Sequence, residues 1–158
     1  MKLRVDRDVL AEAVGWTARS LAVRPPVPVL SGLLLKAEQD TLSFSSFDYE
    51  VSARIHVPAE VSEPGEVLVS GRLLADISRS LPSAPVQLTT DGNKVILSCG
   101  NSRFNLATMP VAEYPELPAM PALAGKISGD EFAQAISQVT VAASKDDTLP
   151  ILTGVRIE

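Results

Sequence analysis

The chain has 158 residues, 46% of them hydrophobic and 21% charged, the proportions of an ordinary globular protein with length for one good core but short of two full domains. A net charge of −5 argues against a generally basic nucleic-acid binder, and a lone cysteine beside a lone histidine excludes an intrachain disulfide and a Cys–His zinc site. No apolar run reaches membrane-spanning length, and the opening MKLRVD alternates and carries charge where a signal peptide needs an apolar stretch, so a soluble, cytoplasmic protein is expected.

Residues 2–6 alternate at Leu3 and Val5 and predict a strand. Asp6 is a suitable N-cap for a helix running to about Leu21. Leu10, Val14, Thr17 and Leu21 share one face, with Val9, Ala13 and Trp16 beside them and Asp8, Glu12, Gly15 and Arg19 opposite. Prolines 25, 26 and 28 end it in a stiff loop that begins at Arg24. Residues 29–36 predict a mostly buried strand, and residues 38–40 a turn. Leu42 and Phe44, then Val51, Ala53, Ile55 and Val57, alternate as two more strands, and residues 58–65 read as a polar loop. The order then recurs. A short strand at 66–69 leads to a helix capped by Ser70, with Leu73, Leu74, Ile77 and Leu81 on its apolar face and Arg72, Asp76 and Arg79 on the other. Strands follow at 85–90, at 94–99 and around Phe104, Leu106 and Thr108, the first two joined by an Asp91-Gly92-Asn93 hairpin signal. Two strand-helix-strand-strand-strand halves in tandem predict an α+β fold, with two helices covering one face of a largely antiparallel sheet.

A longer period overlies this one. The segment PVLSGLLL at 28–35 returns 122 residues later as PILTGVRI, and upstream Asp8, Ala11 and Ala13 fall on Asp130, Ala133 and Ala135, Leu10 on Phe132 and Val14 on Ile136. A period of that length is a domain rather than a solenoid repeat. One complete domain is therefore expected over residues 1–120, including a proline-rich linker from about residue 110; the stretch 110–121 holds four of the twelve prolines. Residues 121–158 then start a second copy, with 123–127 matching the first strand and 130–143 the first helix. That copy stops one strand in, and the chain reads as a fragment of a longer protein.

Signatures of catalysis are sparse: there is no phosphate loop and no G-x-G-x-x-G. His56 alternates with Ile55 and Val57 and is expected on a solvated face, and Cys99 as a buried thiol. Adjacent Asp146 and Asp147, beside Lys145, form the one constellation that a metal-dependent hydrolase could use, against the plainer reading of a solvated loop. The arginines are a different kind of candidate. Residues 7–24 and 70–82 each carry a net charge of +1 while residues 25–69 carry −5, which sorts slightly basic helices from an acidic sheet. Arg72 and Arg79 share a helical face, Arg19 ends the equivalent helix, and Arg24 begins the loop after it. Such a grouping presents guanidiniums to phosphates, the alternative being ordinary solubilising arginines. A scaffold domain that assembles only with proteins is the third possibility.

Four segments carry a resemblance: RPPVPVLSGLLL at 24–35, LSFSSFDYE at 42–50, SRFNLATMP at 102–110 and EYPELP at 113–118. In this order, with DTLPILTG at 147–154, they resemble the N-terminal part of the bacterial DNA polymerase III β subunits, the sliding clamps, and most of all those of actinobacteria. The resemblance implies a DNA-clamp fold, three such domains per chain, and two chains closed head to tail into a homodimeric ring with helices lining the hole. It implies a non-enzymatic processivity factor of DNA replication, without cofactor, metal or exonuclease activity, working in the cytoplasm at the nucleoid and not at a membrane. Such a ring encircles duplex DNA and tethers the DNA polymerase III catalytic subunit, with the clamp loader as a further partner. Because that hold is topological, the inner contacts need only be weak. On this sequence the resemblance turns Arg24 and Arg72, then Arg19 and Arg79, toward DNA. It puts Ile77, Leu81, Arg103, Phe104 and Leu106 on the ring-closing edge, although Ile77 and Leu81 also read as core alone. Only Leu152 falls in the partner-peptide pocket between the second and third domains.

Overall fold

The computed structural model describes residues 1–21, 25–146 and 148–158, and the chain divides into two units, Met1–Pro118 and Ala119–Glu158. The first unit runs β1 (Lys2–Val5), α1 (Arg7–Thr17), two 3-10 turns (Ala18–Ser20 and Pro28–Ser31), β2 (Gly32–Glu38), β3 (Thr41–Phe47), β4 (Ser52–Pro58), β5 (Glu60–Glu63) and β6 (Gly65–Ser70). It continues with α2 (Gly71–Ser80), β7 (Val86–Asp91), β8 (Lys94–Cys99) and β9 (Ser102–Met109). Both helices start where a side chain takes up free backbone donors. Asp6 Oδ1 accepts from the N–H groups of Asp8 (2.8 Å) and Val9 (3.2 Å), and Ser70 Oγ from that of Leu73 (3.4 Å).

All strand pairs are antiparallel, in the order β4-β3-β2-β6-β9-β8-β7-β1-β5. The two halves exchange their leading strands. β6, which precedes α2, pairs with β2, which follows α1 (Leu33 opposite Val69). β1, which precedes α1, pairs with β7, which follows α2 (Leu3 opposite Leu88). Each half thus completes the other's sheet, and neither can close its core alone. The inward residues of this array, among them Leu33, Leu35, Leu42, Phe44, Leu88 and Leu97, meet Leu10, Ala13 and Val14 of α1 and Leu74 of α2 in one core. Each fully buried Leu or Phe there contributes roughly 1.5–3 kcal/mol over leaving it exposed.

The helices lie side by side, α1 also resting on β3 and β4 and α2 on β6. Arg7 ties the start of α1 to the end of α2: its Nε donates to the Leu81 carbonyl at 3.2 Å and an Nη to that of Arg79 at 3.4 Å. It satisfies carbonyls that have no partner inside the helix. At the other end of α1, the Ser20 hydroxyl donates to the Thr17 carbonyl at 2.8 Å and accepts from the Ser46 hydroxyl at 2.5 Å, anchoring the helix end to β3.

Four expectations need correction. The strand placed at 29–36 begins only at Gly32, because Pro28 opens a 3-10 turn first. The loop placed at 58–65 contains β5, which pairs with β1. Leu73 is exposed rather than part of the α2 apolar face. The proline-rich segment is not free linker over its first half: Tyr114 is buried and packs with Val29, Leu30, Leu68, Val111 and Leu117 against the sheet face away from the main core.

In the second unit, α3 (Gly129–Val139) and 3-10 turns at Thr140–Ala142 and Pro150–Leu152 repeat α1 and its two turns at the 122-residue offset. The strand read at 123–127 and the strand with which the second copy was expected to stop do not form; strands need partners, and the second unit supplies none among the described residues.

Candidate nucleic-acid interface

A groove of about 880 Å³ runs between α1 and α2. Its floor is cut low by small residues, Ala11, Gly15 and Ala18 from the first helix and its turn, and Ala75 from the second. Its walls carry Arg19, Arg72 and Arg79, with Glu12 and Asp76 as the acidic members and Trp16 as the aromatic one. Three of the four arginines singled out in the sequence therefore converge. The fourth, Arg24, lies outside the described residues, as does Asp147.

The three arginines are not equivalent. Arg79 has local employment: its Nε donates to the Ala75 carbonyl at 3.1 Å, it pairs with Asp76 at 3.0 Å, and it sits in the last turn of α2, where the helix dipole favours a cation. Arg19 is exposed and also sits beyond a helix C-terminus. Arg72 is exposed in the first turn of α2, where a cation works against the dipole by about 0.3–1 kcal/mol.

Trp16 was read as a flank of the core face of α1, yet it is 47% exposed and lines the groove. Helical spacing alone put it at the border between the buried and solvated faces. Gly15 is the other residue not singled out: a Cβ built there meets nothing within 4 Å.

The residues expected on a ring-closing edge divide. Leu106 is 1% exposed, Ile77 8% and Leu81 4%, all within the main core, while Arg103 is exposed and Phe104 partly so. β9 pairs with β8 over Ser102–Ala107, and on its other side only Thr108 and Met109 pair, with β6. Residues 102–107 thus keep an unpaired strand edge among the described residues. Leu152 is 55% exposed, in a shallow depression with Val139, Ile151 and Val155.

The remaining candidates resolve into structure. His56 is exposed on β4, and Cys99 is buried with its thiol 3.2–3.3 Å from the carbonyls of Ala84 and Pro82. Asp146 caps its own turn, accepting from the Thr148 hydroxyl and, at 3.0 Å, from the Thr148 N–H; those bonds hold its carboxyl below the usual range. Among the described residues no three His, Cys, Asp or Glu side chains gather as a metal site. Nothing in this geometry favours the hydrolase reading.

Three comparisons bear on the assignment. A family model described as the N-terminal domain of the DNA polymerase III beta subunit matches residues 1–118. The whole chain aligns with the beta sliding clamp of Streptomyces coelicolor at 66% identity, covering 42% of that protein, and with that of Micrococcus luteus at 62%, covering 51%. A crystal structure of the DNA polymerase III subunit beta from Pseudomonas aeruginosa superposes with a TM-score of 0.90 at 30% identity, over 98% of this chain and 43% of that one. The chain spans about half the length, or less, of these relatives.

Proposed function

The chain belongs to the DNA polymerase III β subunit family, and on that premise we propose that the protein it forms part of is a sliding clamp, a non-catalytic processivity factor of DNA replication. The closed ring surrounds duplex DNA and tethers the replicative polymerase, with the clamp loader as a second protein partner, in the cytoplasm at the nucleoid. The observation that carries this reading is the groove between α1 and α2, to which Arg19 and Arg72 bring positive charge on a domain that is otherwise acidic. We assign duplex contact to this helix face, with Arg72 foremost and Arg19 and Arg79 supporting, and on the family resemblance we assign it to Arg24 as well. A modest charge excess suits a ring that must slide, since strong phosphate contacts would hold it in place.

Ring closure is assigned to the open edge of β9, with Arg103 and Phe104 at the surface. Ile77, Leu81 and Leu106 support that edge from the core rather than meeting the partner subunit directly. Strand addition at such an edge supplies backbone hydrogen bonds, and Phe104 supplies apolar contact. Leu152 is assigned to a partner-peptide pocket built largely by chain beyond this sequence.

Charge reversal tests the central assignment. In the full-length protein, Arg19→Glu with Arg72→Glu is expected to shorten retention on circular primed DNA and to lower the salt slope of binding by about 1.8 for two lost phosphate contacts. Native mass is expected to show an unchanged ring. Unchanged retention and processivity in that variant would overturn the assignment of this face to DNA.

A further inference from the structure

We propose that the groove between α1 and α2 takes an unpaired nucleobase, stacked on Trp16, with flanking phosphates on Arg19 and Arg72. The proposal rests on the DNA reading above and adds to it: the helix face meets the duplex that the ring surrounds, and the groove within that face takes an unpaired base where one is offered.

Three observations converge. The single tryptophan of the chain is half exposed on a wall of this groove, although Trp is the side chain with most to gain from burial. A duplex keeps its base faces stacked on each other, so the surface that matches an indole face is offered only by an unpaired base. Gly15 is the second observation. A glycine inside a helix costs roughly 0.5–1 kcal/mol against alanine, and here no neighbour requires it, since a Cβ would meet nothing within 4 Å. The missing side chain deepens the groove beside Trp16, as the close approach of a ligand would require. Third, Arg72 stands in the first turn of α2 against the helix dipole, beside the same groove. At about 880 Å³ the groove is within the size range of ligand sites. Glu12 and Asp76 line it too, with Asp76 paired to Arg79, so binding is weak and carried by stacking more than by charge.

The test uses this 158-residue chain, whose one tryptophan reports directly on the site. Oligothymidine, a duplex of equal length and a polyglutamate peptide are titrated at low salt, reading Trp16 emission and the anisotropy of labelled strands. The expected result is saturable quenching by oligothymidine, stronger than by duplex. Trp16→Ala should weaken single-strand binding about 5- to 150-fold, the range for losing one base–aromatic stack, with Trp16→Phe retaining most of it. Gly15→Met, which fills the floor of the groove, should weaken it while leaving the fold intact. If duplex binds as well as single strand and Trp16→Ala changes nothing, the stacking proposal is overturned. In that case a loss of duplex binding in Arg19→Glu/Arg72→Glu leaves the DNA reading standing. If neither nucleic acid binds, the stacking proposal falls, while the DNA reading is decided by the retention of the full-length ring on circular DNA; quenching by the peptide alone would give the groove to a protein partner and overturn the proposal.

Discussion

Tyr114 sits 8% exposed in the small cluster under the proline-rich segment, and among the described residues its hydroxyl meets no partner at hydrogen-bond geometry. A buried hydroxyl without a partner costs about 1–3 kcal/mol of desolvation. Tyr114→Phe is therefore expected to raise stability by about 1 kcal/mol in denaturant titration, a gain that would not appear if the hydroxyl were bonded. Burial pushes the Tyr114 phenol up, the Phe47 backbone works the other way, and the Asp48 carboxylate adds to the rise. A folded value above the unfolded one means that the native state keeps its proton longer. Stability from this group is then present below about pH 10 and is lost as pH climbs through the folded value. The Phe variant should lack that alkaline loss. Two glycines show how local the packing decision is. A Cβ on Gly71 would stand 2.3 Å from Leu21 Cδ1 and 3.2 Å from Leu33 Cβ, so Gly71→Ala is expected to cost about 1–3 kcal/mol by overpacking. The open site at Gly15 predicts the opposite sign, a gain of roughly 0.5–1 kcal/mol for Gly15→Ala in the same denaturant titration.

At the scale of elements, the bond from Arg7 to the end of α2 is the joint between the two halves of the first unit. Arg7→Met keeps the aliphatic stem and removes the donors, and is expected to cost about 1–3 kcal/mol, the range for bonds to a charged group. Asp8→Ala should cost far less, because its contact with Arg7 lies at the surface. Hydrogen exchange then checks where the loss falls: it should be concentrated in the last turn of α2. Most elements could be read from periodicity, because alternation at Leu3/Val5, Leu42/Phe44 and Val95/Leu97 reports one buried sheet face directly. What could not be read was whatever depends on a distant partner. β5 is a polar edge strand between Pro58 and Pro64, formed only because β1 offers it a ladder at Leu3 and Val61. The exchange of β1 and β6 between halves leaves no local mark at all. Arg19, Arg72 and Arg79 were visible as residues, since charge stands out on an acidic chain. Trp16 and Gly15 were not, because an aromatic at helical spacing next to Val9 and Ala13 looks like core until the neighbouring helix is in place.

The whole molecule is two copies of one pattern in different states of completion. In α1 the positions Leu10, Ala13, Val14 and Thr17 are buried; in α3 the positions 122 residues on, including Phe132, are not, and no residue of α3 is buried. The same amphipathic helix thus has a core to rest on in the first unit and none in the second. An isolated helix of eleven residues is marginal in water even with good propensity. The cooperative unfolding of the 158-residue chain is accordingly assigned to residues Met1–Pro118 alone. A chain ending at Pro118 is expected to melt at the same temperature, within about 1 °C, and with the same denaturant slope, because that slope follows the surface exposed on unfolding. Its solubility should rise, since Ile151, Leu152, Val141 and Phe132 no longer face water. A second calorimetric transition in the longer chain, or a lower melting temperature in the shorter one, would mean that residues 119–158 carry a core of their own or support the first. The result also sets how the repeat acquires stability: with each half of the first unit completing the sheet of the other, stability arrives with the whole domain and not with the helix that opens it.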